Sequence, residues 1–447
     1  MKRIFVFLVG FAIIGTSLLL VKRHSSPLAL VGLNPTFGVT VDPGLSANQR
    51  QRVLSALDAT NIKYRLVSAQ ADLEFSSHSS PTATVLESVL SGTPQKLSTN
   101  TLLKEITIPT VSLSGKDAQL VTAIVKAYQP PKQEPTWTVN ALGDVIIGRT
   151  VYKVESSAND YTSSFSKMAA ATKNADLTVA NLESVLSDNV EHPTLGMTFS
   201  APSKAADGLV SAGISAVNLA NNHSYNYGDL GFRDTMATLK ERNIGYFGGG
   251  VDAKTAHAPL MVTVKGKKIA LLGYSSIIGS YEALGSKSGQ AWLSMAPWGT
   301  FDEQLAVQME NDIKAAKAQS DLVFVYYHWG TEYTHDAGAE QRTVAHRAVD
   351  AGADVILGTH PHWVQGVEWY KDKLITYSLG NFVFDQEWST ETKQGTFLSL
   401  KFQGNSVIGA SLTPFEIEHY NRPEPVDPVK ANKILQDVYG HSWWPAV

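Results

Sequence analysis

Asp354-Val-Ile-Leu-Gly-Thr-His360-Pro-His362 is the stretch from which the fold can be read. An apolar run of that length, closed by glycine and then two histidines one residue apart, reads as a buried strand entering a loop. The loop would present both imidazoles at the strand's C-terminal end. Neutral imidazole is the commonest protein ligand for metals, and two at i, i+2 reach one ion or a close pair. On its own, His-Pro-His also suits a surface loop.

Four clusters upstream repeat the arrangement of an apolar strand ending in ligand-type residues. They are Gly143-Asp144-Val-Ile-Ile-Gly-Arg149, Asn181-Leu-Glu183, Asn218-Leu-Ala-Asn221-Asn222-His223 followed by Asp229 and Gly231, and Tyr327-His328-Trp-Gly-Thr-Glu332. Each has a structural alternative. Asp144 could cap a turn, Asn181 and Glu183 could bond a neighbouring loop, Asn222-His223 could be a turn, and His328 a satisfied core histidine. Together they say more. Ligands of open α/β sheets bind outside the carboxyl ends of the strands, and five strand ends carrying costly polar groups there point to a shared site. Oxygen and nitrogen donors without sulfur suit Mn, Fe, Zn or Mg.

The rest of the composition narrows the class. The 447-residue chain is 43% hydrophobic and 17% charged, enough for two or three globular domains. A net charge of −4 gives no sign of a general nucleic-acid binder. There are no cysteines, which excludes disulfides, thiolate ligation and a lipid-modified N-terminal cysteine. Lys2-Arg3 precede an uncharged run from Ile4 to Val21, closed by Lys22-Arg23. At about 1.5 Å per residue that run spans a bilayer core. No small-x-small cleavage site follows, so residues 1–24 are expected to be an uncleaved signal anchor rather than a cleaved signal. The chain would then be a single-pass membrane protein with its body outside the cell.

Residues 25–36 read as a tether and 37–133 as a small α/β module, with strands over 37–41 and 62–67 and a helix over 46–57. The module carries no catalytic constellation and is expected to be a spacer or binding unit. Gln129-Pro-Pro-Lys-Gln-Glu-Pro135 is a proline-rich break. Beyond it, 134–420 alternates strands (136–147, 177–181, 216–220, 260–274, 322–327, 355–357) with helices (161–171, 203–212, 230–242, 301–319, 339–350), as an α/β domain does. From 366 the texture turns to strand, and 421–447 reads as a tail containing one short helix.

These motifs, with Ser378-Leu-Gly-Asn381-Phe382, resemble in order and spacing the CapA family of poly-γ-glutamate capsule biosynthesis proteins, similar to a branch of the calcineurin-like metallophosphoesterases. The likeness covers about 137–418 of the chain. It implies a two-layer β-sandwich flanked by helices, with a site for one or two divalent ions at the strand ends. It implies metal ligands at Asp144, Glu183 (bridging), Asn222, His328, His360 and His362, and a catalytic role for His223 as the leaving-group acid. Arg149 and Glu332, which the phosphoesterases lack, are expected as further catalytic residues that would handle a carboxylate or amine rather than a phosphate. Asn181 and Asn381 would line the substrate pocket, and Trp329 and Trp363, each next to a proposed ligand, would either wall that pocket or pack in the core. The phosphoesterase pattern departs at Ile146, where a histidine is expected, and at Asn181-Leu-Glu183, where a glycine-aspartate is expected. The implied work is synthesis, export or attachment of an anionic polymer, beside membrane-bound synthase and export proteins. Two alternatives are a non-catalytic component of such a complex and a cell-envelope metallophosphoesterase.

Overall fold

The computed structural model describes residues 134–443 and, ahead of them, four short strands. The chain divides into two compact units, Met1–Glu134 and Pro135–Val447. In the first, Leu18–Leu20, Leu73–Ser76, Phe37–Val41 and Tyr64–Leu66 lie side by side in that order, the first pair antiparallel and the others parallel. Leu18–Leu20 falls inside the expected anchor; the remainder of 1–24 and the helix expected over 46–57 lie outside the described residues. Among the described residues no helix is long and apolar enough to cross a membrane.

The second unit is built on two sheets. One runs in the order Gly245–Phe247, Ala216–Asn218, Leu177–Leu182, Thr136–Val145, Gln394–Gln403, Ser406–Glu418, Arg422–Pro425, with Asn381–Val383 paired to the end of Thr136–Val145. The other runs Leu260–Val264, Lys267–Ser275, Leu322–His328, Val355–Thr359, Lys373–Thr376, Val367–Tyr370. Side chains alternate across a strand, and the sequence uses both faces. Leu322, Phe324 and Tyr326 join Trp137, Val139, Leu177, Leu357, Leu398 and Phe402 in the core between the sheets. Val323, Val325 and Tyr327 turn the other way, against the helices. Burial on both faces is why this strand reads as a continuous apolar run.

Helix Glu303–Lys317 covers that outer face with Ala306, Met309, Ile313 and Ala316, one stripe at helical spacing. Asp302 caps it, accepting from the backbone N–H groups of Gln304 and Leu305 at 2.8 and 3.1 Å. Helices Ala206–Ser211 and Gly228–Glu241 cover the outer face of the first sheet through Leu209, Phe232, Met236 and Leu239. The order of layers is helix, sheet, sheet, helix.

Three elements differ from expectation. The strand expected over 260–274 is a hairpin, broken at Lys265 and Gly266, both at positive φ (48° and 82°). The helix expected over 161–171 is reduced to short turns at Ser163–Phe165 and Ala169–Thr172, while an unexpected helix, Arg149–Ala158, precedes them. The segment read as a tail supplies the edge strand Arg422–Pro425 and a helix, Pro428–Gly440, whose Ile434 and Val438 are buried in the inter-sheet core.

Candidate metal centre

Parallel strands from both sheets end at one edge, and each delivers a polar tip. Thr136–Val145 carries Asp144 as its penultimate residue, Leu177–Leu182 is followed by Glu183, Leu322–His328 ends at His328, and Val355–Thr359 is followed by His360. Two glycines let the chains approach. A Cβ on Gly143 would lie 1.9 Å from Gly380 O, and one on Gly358 1.9 Å from Tyr377 O. The His-Pro-His turn is held in left-handed backbone, with φ of 95° at His360 and 59° at His362. Such a conformation costs on the order of 1–3 kcal/mol for a residue with a side chain, so the packing around the turn over-determines it.

The side chains converge. Asp144, Glu183 and His328 each bring a donor atom within 4.8 Å of the others, and Glu332, His360 and His362 form a second group of the same kind. His328 Nε2 stands 2.8 Å from Asn222 Oδ1 and 3.4 Å from Glu183 Oε1. His362 Nδ1 faces Asn381 Oδ1 at 2.8 Å, and Asp144 Oδ2 lies 3.7 Å from the same nitrogen. Asp144, Glu183, His328 and His360 are fully buried. Neither oxygen of Glu183 and neither ring nitrogen of His360 has a hydrogen-bond partner. Buried polar atoms are rarely left so, and four together, of ligand type, fit a cation.

Electrostatics agree with burial. Removal from water, with Glu183 nearby, pushes the Asp144 carboxyl up to about 7. Burial raises Glu183 well above the usual carboxylate range and raises Glu332 too. Burial also lowers His328 and His223 to about 4 and His362 to about 3, and holds His360 well below the usual imidazole range. The imidazoles are therefore neutral, the form that ligates.

His223 sits at the margin. Its Nδ1 faces Asn226 Oδ1 at 3.0 Å, and that oxygen accepts, so the ring proton is on Nδ1 and the lone pair on Nε2. Nε2 lies 3.9 Å from Glu183 Oε1, and Phe199 packs against the ring at 4.4 Å. Arg149 pairs with Asp385, donates to Gly196 O at 3.0 Å, and lies 4.8 and 5.1 Å from the ring centroids of Phe199 and Phe384. Ile146, at the position where a histidine was expected, is buried with those same two rings. It packs with the two rings over which Arg149 lies, and offers no ligand atom.

Asn181 is a positioning residue: its Nδ2 donates to Asp144 Oδ1 at 2.7 Å, and its Oδ1 accepts from Asn218 and Asn221. Asn381 holds His362. Trp329 is not brought to the site. It is fully buried among core residues on the helix side, stacked on Tyr327, with Nε1 donating to Tyr377 O at 2.9 Å. Trp363 packs on His335, and the tryptophan beside His360 is Trp298, at 6.2 Å, which the sequence did not single out. Asp229, quoted in the third cluster, is half exposed and paired with Arg233. Asp385, Phe199, Phe384 and Tyr333 were also missed, since none lies in a ligand-like cluster.

Fold and site thus define a class: α/β sandwiches that bring carboxylates and imidazoles from several strand ends to one buried, cation-sized hollow. Within it, this chain belongs to the family described as bacterial capsule synthesis protein PGA_cap, whose model matches residues 138–386. It is 33% identical over 294 residues to the capsule biosynthesis protein CapA of Bacillus anthracis, covering 65% of this chain and 69% of that protein. It is 30% identical over 323 residues to the PGA biosynthesis protein CapA of Bacillus subtilis (strain 168), covering 71% and 80%. Its likeness to the 5'-nucleotidase from Candida albicans SC5314 is 12% identity at a TM-score of 0.37, over 63% of this chain and 53% of that one.

Proposed function

We propose that this protein is a metal-dependent hydrolase or transferase in the making, export or attachment of poly-γ-glutamate or a related anionic envelope polymer. Its body would lie outside the membrane on the N-terminal anchor, beside the membrane proteins that make and export the polymer. The capsule and PGA biosynthesis roles of its CapA relatives support the polymer, and the grouping of carboxylate and imidazole ligands supports the chemistry. One observation carries the reading: the unpartnered nitrogens of His360 and oxygens of Glu183, fully buried in one hollow.

Asp144, Glu183, Asn222 and His328 would hold one ion, and His360, His362 and Glu332 a second or a share of the first. A divalent cation supplies Lewis acidity and a water acidified toward neutral pH. The chain's own residues do the rest. Asn181 and the His360 N–H each occupy one Asp144 oxygen, at 2.7 and 3.1 Å, and so fix the carboxylate plane. Asn381 fixes the His362 ring. His223, neutral and with Nε2 free, takes up a proton at that atom and can hand it to a leaving group. Phe199 against His223 and Phe384 against His362 give the hollow an apolar flank.

Metal analysis of the purified protein after exposure to Mn²⁺ is the test, run with His360→Ala and His223→Ala. At least one tightly held ion per chain is expected, lost or weakened by His360→Ala and retained by His223→Ala. Polymer output should fall in both. Unaltered output from a folded His223→Ala protein would exclude catalysis through this site and leave a structural component of the complex.

A further inference from the structure

Against the flank of the metal hollow lies a cavity of about 400 Å³. Arg149, Thr150, Thr194, Tyr333, Asp385 and Trp388 line it, and Leu195, Met197 and Gln386 complete the wall. Tyr333 joins the two sites: its ring is 6.0 Å from that of His362 and 4.7 Å from that of Trp388. Phe384, 5.3 Å from His362, lies under the Arg149 guanidinium.

The charge inventory of this cavity decides what it can hold. Its one cation, Arg149, is paired with its one anion, Asp385, whose second oxygen also accepts from the Thr150 N–H at 3.0 Å. Arg149 keeps one buried donor, Nε, without a partner, but its charge is already balanced by Asp385, so a run of carboxylates finds no surplus positive charge here. The apolar inventory is large by contrast. Trp388 is 60% exposed, Met197 62% and Leu195 83%, so a broad indole and two aliphatic side chains meet the solvent at the rim. Trp388 stands at 81° to Tyr333, an edge contact that leaves most of the indole uncovered. Between these apolar surfaces are two threonine hydroxyls, the Tyr333 phenol, and Gln386, which donates to that phenol at 3.2 Å and has an unpartnered Oε1. A flat apolar face, short neutral donors and acceptors around it, and no net charge together match a ring that is hydrophobic on its C–H face and hydroxylated at its edge.

We propose that this cavity is a subsite for a neutral sugar ring of an envelope glycan, stacked on Trp388 beside the metal centre, and is not the seat of the anionic polymer. The inference rests on the metal-centre reading only for its placement next to the reacting atoms; the binding itself needs no turnover.

Isothermal titration of the full chain with two neutral-pH probes tests it: a β-1,4-linked N-acetylglucosamine trimer and a γ-linked glutamate trimer. The sugar trimer is expected to bind. Trp388→Ala should weaken it about five- to tenfold, the loss of one aromatic stacking contact, and Trp388→Phe should recover most of it. Because Trp388 is largely exposed, neither variant endangers the fold. No sugar binding, sugar binding indifferent to Trp388, or glutamate-trimer binding lost in Trp388→Ala would each overturn the proposal. Metal content, read on the same samples, is expected to be equal in all three proteins. A chain without metal that still binds the sugar through Trp388 would sink the metal-centre reading and leave the subsite standing.

Discussion

Asn181 Nδ2 donates to Asp144 Oδ1 at 2.7 Å, and the amide cannot turn over, because Asn218 and Asn221 both donate to its Oδ1 at 3.0 and 3.1 Å. A chain of three amides thus fixes one oxygen of a buried carboxylate whose other oxygen accepts from the His360 N–H at 3.1 Å.

Replacing Asn181 by alanine removes one of Asp144's two donors and leaves the amides of Asn218 and Asn221 short of an acceptor. Outer-shell groups of this kind are worth about ten- to a hundredfold in metal affinity. Asn181→Ala is expected to weaken Mn²⁺ binding by that factor while the protein still folds. Competition against a fluorescent chelator measures it; unchanged affinity would make Asn181 a mere packing residue.

Metal should also stabilise the fold. Glu183 and His360 present four buried atoms without partners, and an ion that satisfies them binds the folded chain and not the unfolded one. At a free concentration a hundredfold above the dissociation constant the gain is about 2.7 kcal/mol. Thermal unfolding is expected to rise by several degrees with Mn²⁺ and to fall with a chelator, and His360→Ala should abolish most of the response. A melting curve blind to both additions would count against an ion in this hollow.

Trp329 separates packing from recognition. Neighbour to His328 in sequence, it is fully buried on the opposite face of the strand's end, stacked on Tyr327 at 4.4 Å and bonded to Tyr377 O. Trp329→Ala is expected to cost about 3–5 kcal/mol of stability, read by chemical denaturation, with metal stoichiometry preserved in the folded fraction. A folded, fully stable variant with altered ligand binding would return Trp329 to the pocket.

The parts of this site that the sequence revealed are those in which local pattern and chemistry coincide. His360, His362, Glu183 and Asp144 each sit where an apolar run stops, and a strand's end is legible from the run alone. Arg149 pairs with Asp385 across 236 positions, and nothing local to either residue marks the other. The same holds for Trp298 beside His360. The Arg149–Ala158 helix was missed because it begins at Gly148 with no side-chain cap and only Val151 and Glu155 are buried, so neither a start signal nor an apolar stripe betrays it. The Lys265-Gly266 turn was missed because lysine in left-handed backbone is not the Asn-Gly or Asp-Gly signature of such hairpins. Alternation was read through it.

Glu155 offers the clearest pH dependence away from the metal hollow. It is fully buried, its one bonded oxygen accepts from Ser164 Oγ at 2.5 Å, and its other oxygen has no partner. Burial, opposed in part by the Ser164 bond, pushes its carboxyl from 4.5 up to about 8. Between those values the folded chain keeps a proton that the unfolded chain has released. Glu155's contribution to stability is therefore complete below about pH 4.5 and is lost as pH rises toward 8. Each pKa unit is worth about 1.4 kcal/mol, so the loss by pH 7 should be at least about 1 kcal/mol. Glu155→Gln, which keeps the shape and cannot ionise, is expected to match the parent near pH 4.5 and to exceed it increasingly toward pH 8. Denaturation midpoints taken across that range measure the difference, and two parallel curves would mean that water or a neighbouring group already satisfies the Glu155 carboxylate in its charged form.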